Sequence, residues 1–224
     1  MLALSVLPEF SMNRTVRTGI LALPLFFLLF LSVGHAEDAA ISAQADAQVD
    51  SSDAANEDSR PIPQEGYTAN EIANVAGNFF GETSEGIAKA IERVFAEQGK
   101  PVAYIVGEEA SGAIGVGLRY GRGTLTYRDG AAMPVFWQGP SIGWDFGGNA
   151  SKVMTLVYDL QTTGELFQRF PGVDGSLYFV AGVGVNYQRN GEITLAPIRT
   201  GVGLRAGANV GYLNYTRKQQ ILPF

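Results

Sequence analysis

Residues 112–137 read GAIGVGLRYGRGTLTYRDGAAMPVFW, and this stretch decides the fold class. β-branched and aromatic residues alternate in it with glycine or polar residues, which is the two-residue period of a β-strand. Asp129-Gly130 is a dipeptide that favours a tight hairpin turn, and Asn190-Gly191 repeats it nearer the C-terminus. The stretch therefore predicts antiparallel strands joined by short turns.

The same alternation continues through most of the chain after Val102 and predicts about ten short strands. About ten strands within about 120 residues favour a mainly β fold, a small antiparallel β-barrel that is closed or nearly closed. One short helix is expected between strands, over Thr163–Phe170. The predicted strands are 102–107, 112–120, 123–128, 133–137, 142–146, 152–158, 176–187, 192–197, 201–206 and 209–215.

Two short amphipathic helices are expected before the strands. Thr68 and Glu71 form a capping box, in which each side chain satisfies a free N–H group at a helix start. A second helix is predicted from about Ser84 to Gln98, ending at Gly99. Both helices have one apolar face and are expected to cover one end or face of the sheet.

The first 36 residues have the layout of a secretory signal peptide. Arg14 and Arg17 precede an apolar run over 20–31, which is shorter than the roughly 20 residues of a membrane-spanning helix. Gly34 and Ala36 are the small residues that a signal peptidase needs, so cleavage is predicted after Ala36. The mature protein is expected to be soluble and periplasmic.

Met12 is an alternative start of the chain, because residues 1–11 carry no basic side chain and Met12 is followed by a compact basic segment. Residues 37–66 are rich in Ala, Ser, Gln, Asp and Glu, and they predict a disordered acidic tether. The β-barrel domain is expected over residues 67–224.

Composition argues against most enzyme classes. The chain has no cysteine, and its single histidine, His35, leaves with the signal peptide. Without His or Cys the mature chain has no familiar nucleophile system and no usual metal site, so no catalysis, cofactor or metal is expected. Residues 1–65 carry three basic and nine acidic side chains, which accounts for the net charge of −6, and the neutral remainder argues against nucleic-acid binding.

Residues 115–121, GVGLRYG, are echoed at 201–207 as GVGLRAG. Alternation on a strand places each arginine on the same face as glycines. Neither copy has the spacing of a phosphate-binding loop. Because charges inside a barrel must be paired or wet, we expect an interior polar cluster that either fixes barrel register or holds an anionic group of a ligand. Its candidate members are Glu108, Glu109, Arg119, Asp145, Arg199 and Arg205.

A carboxylate-dependent hydrolase is a further alternative, and Glu108 and Glu109 are its candidate carboxylates. Adjacent side chains on a strand point to opposite faces, so these two are not expected to converge on one substrate bond. Phe136, Trp137 and Trp144 form a candidate aromatic contact patch. Core packing is the ordinary role of such residues, and contact with a lipid or glycan is the functional alternative.

Much of the strand region resembles a known family, the EipA-type envelope-integrity proteins of alphaproteobacteria, formerly a domain of unknown function. The resemblance implies a small soluble periplasmic β-barrel that supports envelope integrity and stress resistance, with no assigned catalysis or cofactor. It is carried by residues 107–113 (GEEASGA), 117–121 (GLRYG) and 135–149 (VFWQGPSIGWDFGGN), with further matches at 197–199, 201–203, 209–213 and 223–224.

These features together predict a non-enzymatic periplasmic protein that binds an envelope protein, lipid or glycan. Residues 141–146 followed by 153–160 also resemble part of the SYLF lipid-binding domain, and a lipid-binding module is the first alternative. An outer-membrane barrel is another alternative, because such proteins characteristically end on an aromatic residue and Phe224 is the last residue here. A membrane-spanning strand needs about 9–11 residues, however, and most of the predicted strands are shorter.

Overall fold

A computed structural model describes residues 56–81, 85–145, 151–200 and 211–220, and for 111–116 and 141–145 it describes the backbone alone. The predicted signal peptide, its cleavage site and residues 37–55 lie outside the described residues. Within these described ranges, two main α-helices precede nine strands. They are α1 (Ala69–Phe80), α2 (Glu85–Gln98), β1 (Ala103–Tyr127), β2 (Ala132–Asp145), β3 (Ser151–Tyr158), a 3-10 helix (Thr163–Leu166), β4 (Arg169–Pro171), β5 (Tyr178–Val180), β6 (Val183–Val185), β7 (Gln188–Asn190), β8 (Ile193–Thr200) and β9 (Tyr212–Thr216).

The strands form a single antiparallel sheet that curls into a barrel-like shape. Its order is β4-β9-β2-β1-β3-β8-β6-β5, and β7 pairs with β8 beside β6. A bridge between Gly172 and Gln188 joins the β7 side of the sheet back to the β4 side. Asn190 Nδ2 reinforces this junction by donating to Gln168 Oε1 and to Arg169 O, at 2.8 Å each. The mainly β, barrel-like fold expected from the sequence is confirmed.

β3 and β8 are buried on both faces, which places two apolar cores on opposite sides of the sheet. Val153, Val157 and Leu195 belong to the inner core within the curled sheet. Met154 and Leu156, which alternate with them, belong to the outer core beneath the helices. The two helices therefore cover one outer face of the sheet. None of the helices in the described part of the chain has the length and apolar character of a membrane span.

β1 is a single strand of 25 residues whose two halves belong to different parts of the sheet. Residues 103–109 pair with β3, and residues 113–126 pair with β2. The two halves meet at glycines: a Cβ on Gly107 would lie 2.2 Å from Arg122 O and 2.6 Å from Gly123 Cα. A side chain at Gly107 would therefore collide with the other half of the strand, and the two backbones lie side by side because Gly107 and Gly123 both lack one.

Several predicted segments differ from the strands observed. The first segments after Val102 are continuous in β1, and those at 133–137 and 142–146 are continuous in β2. The long strand predicted at 176–187 is broken into β5 and β6 because Ala181 and Gly182 have positive φ angles of 43° and 84°. The helix predicted over Thr163–Phe170 is shorter, a 3-10 turn followed by β4, and residues 201–210 lie outside the described part.

The expected disordered tether over residues 37–66 is wrong for its last part. Residues 56–58 form a helical turn, Pro61 makes a β-bridge with Thr162, and Ile62 is buried in the inner core. Arg60 pairs with Asp129 in the β1–β2 turn. The low apolar content of the predicted tether concealed Ile62, which together with the bridge at Pro61 and the Arg60–Asp129 ion pair holds this short segment against the domain.

The capping box predicted at Thr68 and Glu71 is confirmed. Thr68 N and Thr68 Oγ1 each donate to Glu71 Oε2 at 2.8 Å, and Arg128 Nη1 donates to Glu71 Oε1 at 2.6 Å. The bond from the Thr68 backbone, followed by those from Arg128 and the Thr68 hydroxyl, lowers the pKa of Glu71 to about 2. The start of α1 is thereby tied to the end of β1.

This depressed pKa predicts a pH-dependent contribution of Glu71 to stability. The contribution is fully present above the ordinary pKa of 4.5 and is lost as the pH falls towards about 2. Urea unfolding should therefore separate wild type from Glu71→Gln at pH 7, and the difference should shrink as the pH is lowered through this window. Glu92→Gln, which removes an exposed carboxylate from the middle of α2, is the control, and an equal pH dependence of the two variants would contradict the prediction.

Candidate functional site

Glu109 is a buried carboxylate at the end of the paired first half of β1. Its inward direction follows from alternation along the strand, because Ala103 and Ile105 on the same face are in the inner core. Arg199 Nε lies 3.0 Å and Arg119 Nε 3.3 Å from Glu109 Oε1. Trp137 Nε1 donates to Glu109 Oε2 at 2.8 Å. We call Glu109, Arg119, Arg199 and Trp137 the inner polar cluster.

Topology brings these four residues together from three strands. Arg119 lies in the second half of β1, and Trp137 lies on β2 opposite Gly121, two residues further along β1. Arg199 is on β8, opposite Val153 of β3, and β3 also pairs with the segment that carries Glu109. The cluster thus ties both halves of β1 to the far side of β3.

The electrostatics of the cluster keep Glu109 ionised although it is only 5% exposed. Burial by itself raises the pKa of Glu109, but the charges of Arg119 and Arg199, together with the hydrogen bonds from Arg199 and Trp137, hold it below the ordinary value. Arg199 Nη1 also donates to the side-chain oxygen of Asn186 at 2.5 Å. Removing one member of such a buried network is strongly destabilising, because it leaves a buried charge without its partner.

The structure brings together three of the six residues proposed for the interior cluster: Glu109, Arg119 and Arg199. Glu108 is not among them, because the alternation of β1 turns it outward, where it is exposed. The β1–β2 register pairs Asp145 with Ala113, but its side chain lies outside the described residues, as does Arg205. The opposite directions of Glu108 and Glu109 do not provide the facing pair of carboxylates that a glycosidase uses.

The three residues of the proposed aromatic patch do not share one surface. Trp137 is 2% exposed, packs against Tyr215 at a ring-centroid distance of 6.1 Å, and bonds to Glu109. Phe136, its neighbour, points to the other side of β2 and is half-buried, and the side chain of Trp144 lies outside the described part. Nothing in the sequence pattern distinguished a tryptophan bonded to an interior carboxylate from one at a surface.

A groove runs along the β1–β2 hairpin, on the side where side chains alternate with the inward-facing Trp137. It consists of two adjoining depressions of about 260 Å³ and 380 Å³ that share Glu108, Arg122 and Phe136. The larger one is shallow and extends to Thr124 and Pro134. We call this feature the hairpin groove.

The deeper part of the hairpin groove is lined by charged, aromatic and amide side chains. Cross-strand pairing sets Tyr120 beside Gln138 and Arg122 beside Phe136, so aromatic and polar groups alternate across the hairpin. Gln138 Nε2 donates to Gln220 Oε1 at 2.9 Å, which links the groove to the segment after β9. The charged, aromatic and amide residues in this lining are Glu108, Tyr120, Arg122, Phe136, Trp137, Gln138, Gln219 and Gln220.

One glycine allows the groove and the inner polar cluster to lie back to back. A Cβ on Gly121 would meet the indole ring of Trp137 at 2.0 Å. Because Gly121 has no side chain, Trp137 can lie against β1 and reach Glu109. On the other face of the strand, Gly121 contributes its backbone to the groove. Sequence reasoning singled out the glycines of this strand but missed the groove, since its lining comes from positions far apart in the chain.

Comparison with known proteins relates the chain to a protein family and to a solved structure. The family model described as envelope integrity protein A matches residues 65–224. The crystal structure of a beta-barrel-like, uncharacterized protein from Brucella abortus is similar, with a TM-score of 0.65 and 50% sequence identity over 71% of this chain and 99% of that one. A comparison with curated protein sequences found no match.

Proposed function

Because the chain belongs to the envelope integrity protein A family, we propose that it is a non-enzymatic periplasmic protein that supports the cell envelope by binding an envelope partner in the hairpin groove. The family supplies the role in envelope integrity. The proposed lack of catalysis is supported by a sequence that has no cysteine and whose single histidine, His35, lies in the predicted signal peptide.

The periplasmic location is supported by the N-terminal sequence. Arg14 and Arg17, the apolar run over 20–31, and the small residues Gly34 and Ala36 together have the pattern of an export signal. A chain without cysteine is also compatible with an oxidising compartment, where a free thiol would be exposed to oxidation.

The separation of two polar regions is the observation that carries the proposal. In the inner polar cluster the charges of Glu109, Arg119 and Arg199 are turned towards one another inside the domain, which suits a structural role. In the hairpin groove Glu108 and Arg122 are exposed next to the half-buried ring of Phe136. A concave surface with a few converging polar groups and an aromatic ring is typical of a binding site.

Photocrosslinking in living cells tests the proposal. A photoreactive phenylalanine analogue placed at Arg122 or Thr124 in the groove should give light-dependent adducts, and the same analogue at Arg189, an exposed position on β7, should not. Adding Phe136→Ala to the groove variants should remove the adducts because it takes away the ring that contacts the partner. Equal adducts at Arg122 and Arg189, or none at any groove position, would contradict the proposal.

A further inference from the structure

The chemistry of the hairpin groove narrows the class of its partner. We infer that the groove binds a hydroxyl-rich glycan chain of the cell envelope, an inference that rests on the proposed function and identifies its partner. The polarity of the lining, its charge balance and its shape favour this class of partner.

The lining offers paired donors and acceptors beside aromatic rings. The exposed side-chain amides of Gln219 and Gln220 each carry both a donor and an acceptor, which is what neighbouring sugar hydroxyls require, and the buried Gln138 holds Gln220 in place by donating to its oxygen. Tyr120 and Phe136 provide flat apolar faces against which the C–H face of a sugar ring can pack. A sugar presents these two surfaces on the same ring.

The charge balance argues against an anionic lipid headgroup. Among the described residues that line the groove, Arg122 is the cation and Glu108 is the anion, and both are shared by the two depressions. Recognition of a phosphate group ordinarily uses clustered basic side chains and not a cation beside a carboxylate. Glu108 would repel a phosphate but can accept hydrogen bonds from hydroxyl groups.

The shape argues for a chain and against a lipid tail. The deeper depression, of about 260 Å³, lies just below the roughly 300–1,000 Å³ of pockets that enclose a whole small molecule. Its shallow continuation past Thr124 and Pro134 lengthens the groove along the hairpin while leaving it open to solvent. A polymer can lie along such a groove with part of each unit in water, whereas an acyl chain needs an enclosed apolar wall.

The groove is also partly ordered before any ligand binds. Gln138 is buried and its amide is held by Gln220, and the cross-strand pairs fix the spacing of Tyr120, Arg122 and Phe136 on a paired hairpin. Preorganised polar groups lower the entropic cost of binding a flexible chain. This matters for glycans, whose individual contacts are weak.

Binding to defined probes tests the inference. The mature protein is mixed with purified peptidoglycan sacculi, with lipid-free polysaccharide released from lipopolysaccharide, and with vesicles of phosphatidylethanolamine alone or with phosphatidylglycerol. We expect co-sedimentation with sacculi or saturable binding of the polysaccharide, and the two arms tell the sources apart. Phe136→Ala and Arg122→Ala should weaken that binding by about tenfold or more, a loss easily resolved by titration.

Matched controls remove the same side chains elsewhere. Phe179→Ala deletes a phenylalanine that is 52% exposed on β5, and Arg189→Ala deletes an exposed arginine on β7, so both should bind like wild type. Thermal unfolding of each variant checks that the fold is retained. Binding to vesicles but to neither glycan, or glycan binding that the groove variants leave unchanged, would overturn the inference.

The outcomes separate this inference from the proposed function. If no glycan binds but the groove positions still crosslink in cells, the groove has a partner of another class and only the inference fails. If the groove positions do not crosslink and the groove variants still bind glycan normally, both fail.

Discussion

Replacing Glu109 with glutamine is expected to lower the free energy of unfolding by about 3–5 kcal/mol, the usual cost of breaking a buried ion pair from one side. Glutamine keeps the size of the side chain but removes the charge that Arg119 and Arg199 share. Both guanidinium groups would stay buried without their counter-ion. Urea unfolding followed by circular dichroism measures the loss.

The neighbouring glutamate supplies the matched control. Glu108→Gln removes the same charge one residue away, on the exposed face, and should change stability by no more than about 0.5 kcal/mol. The double variant Glu109→Gln/Arg199→Gln should lose less than the sum of its two single variants, since it also removes one uncompensated cation. Equal stabilities of the Glu108 and Glu109 variants would show that the inner polar cluster does not hold the fold together.

Substituting Gly107 with alanine should destabilise the domain by about 3 kcal/mol, at the upper end of the cost of overpacking. The added methyl would lie 2.2 Å from Arg122 O and 2.6 Å from Gly123 Cα, both of which are backbone atoms. A backbone atom cannot move away by changing a rotamer, so the two halves of β1 must separate. Guanidinium unfolding of the purified variant gives the measurement.

Gly175→Ala separates this steric cost from the general cost of replacing glycine. Gly175 has a φ angle of 70° and open space around the site of a Cβ, so alanine there meets only the conformational penalty of about 1–2 kcal/mol. A Gly107 variant no less stable than the Gly175 variant would mean that the halves of β1 are not held in contact.

Local signals in the sequence predicted the elements that depend on local chemistry. Thr68 and Glu71 predicted the start of α1 because a capping box needs only residues three positions apart. Asp129-Gly130 predicted the turn between β1 and β2, because a hairpin turn depends on the conformations that neighbouring residues can adopt. Alternation along β1 was enough to place Arg119 inside the domain, and Glu109 opposite in direction to Glu108.

Features that depend on long-range contacts were beyond these signals. The junction at Gly172 and Gln188 uses strands of three residues, too short to show a two-residue period. The burial of Ile62 depends on a contact with the segment after β3, about one hundred residues away in the chain. The bond from Trp137 to Glu109 crosses the domain interior, so no local pattern in the sequence indicates it. The sequence alone therefore left Trp137 as a candidate for a contact patch.

The back-to-back arrangement of cluster and groove connects stability with the proposed function. Gly121 lets the ring of Trp137 lie against β1 and fill the interior on one side of the hairpin. Arg122 and Phe136 lie on the other side, where they line the groove. Variants of the cluster should therefore act through unfolding, whereas variants of the groove should leave the fold intact and affect binding. This difference makes the two sites separable by experiment.

Complementation of a strain that lacks the gene tests whether the protein supports the envelope through the hairpin groove, by measuring survival on a detergent that kills cells with a damaged envelope. The double variant Arg122→Ala/Phe136→Ala is compared with Arg189→Ala/Phe179→Ala, at equal protein levels and with both proteins folded. The control variant should restore survival, and the groove variant should not. Full survival with the groove variant would show that the protein does not act through the hairpin groove.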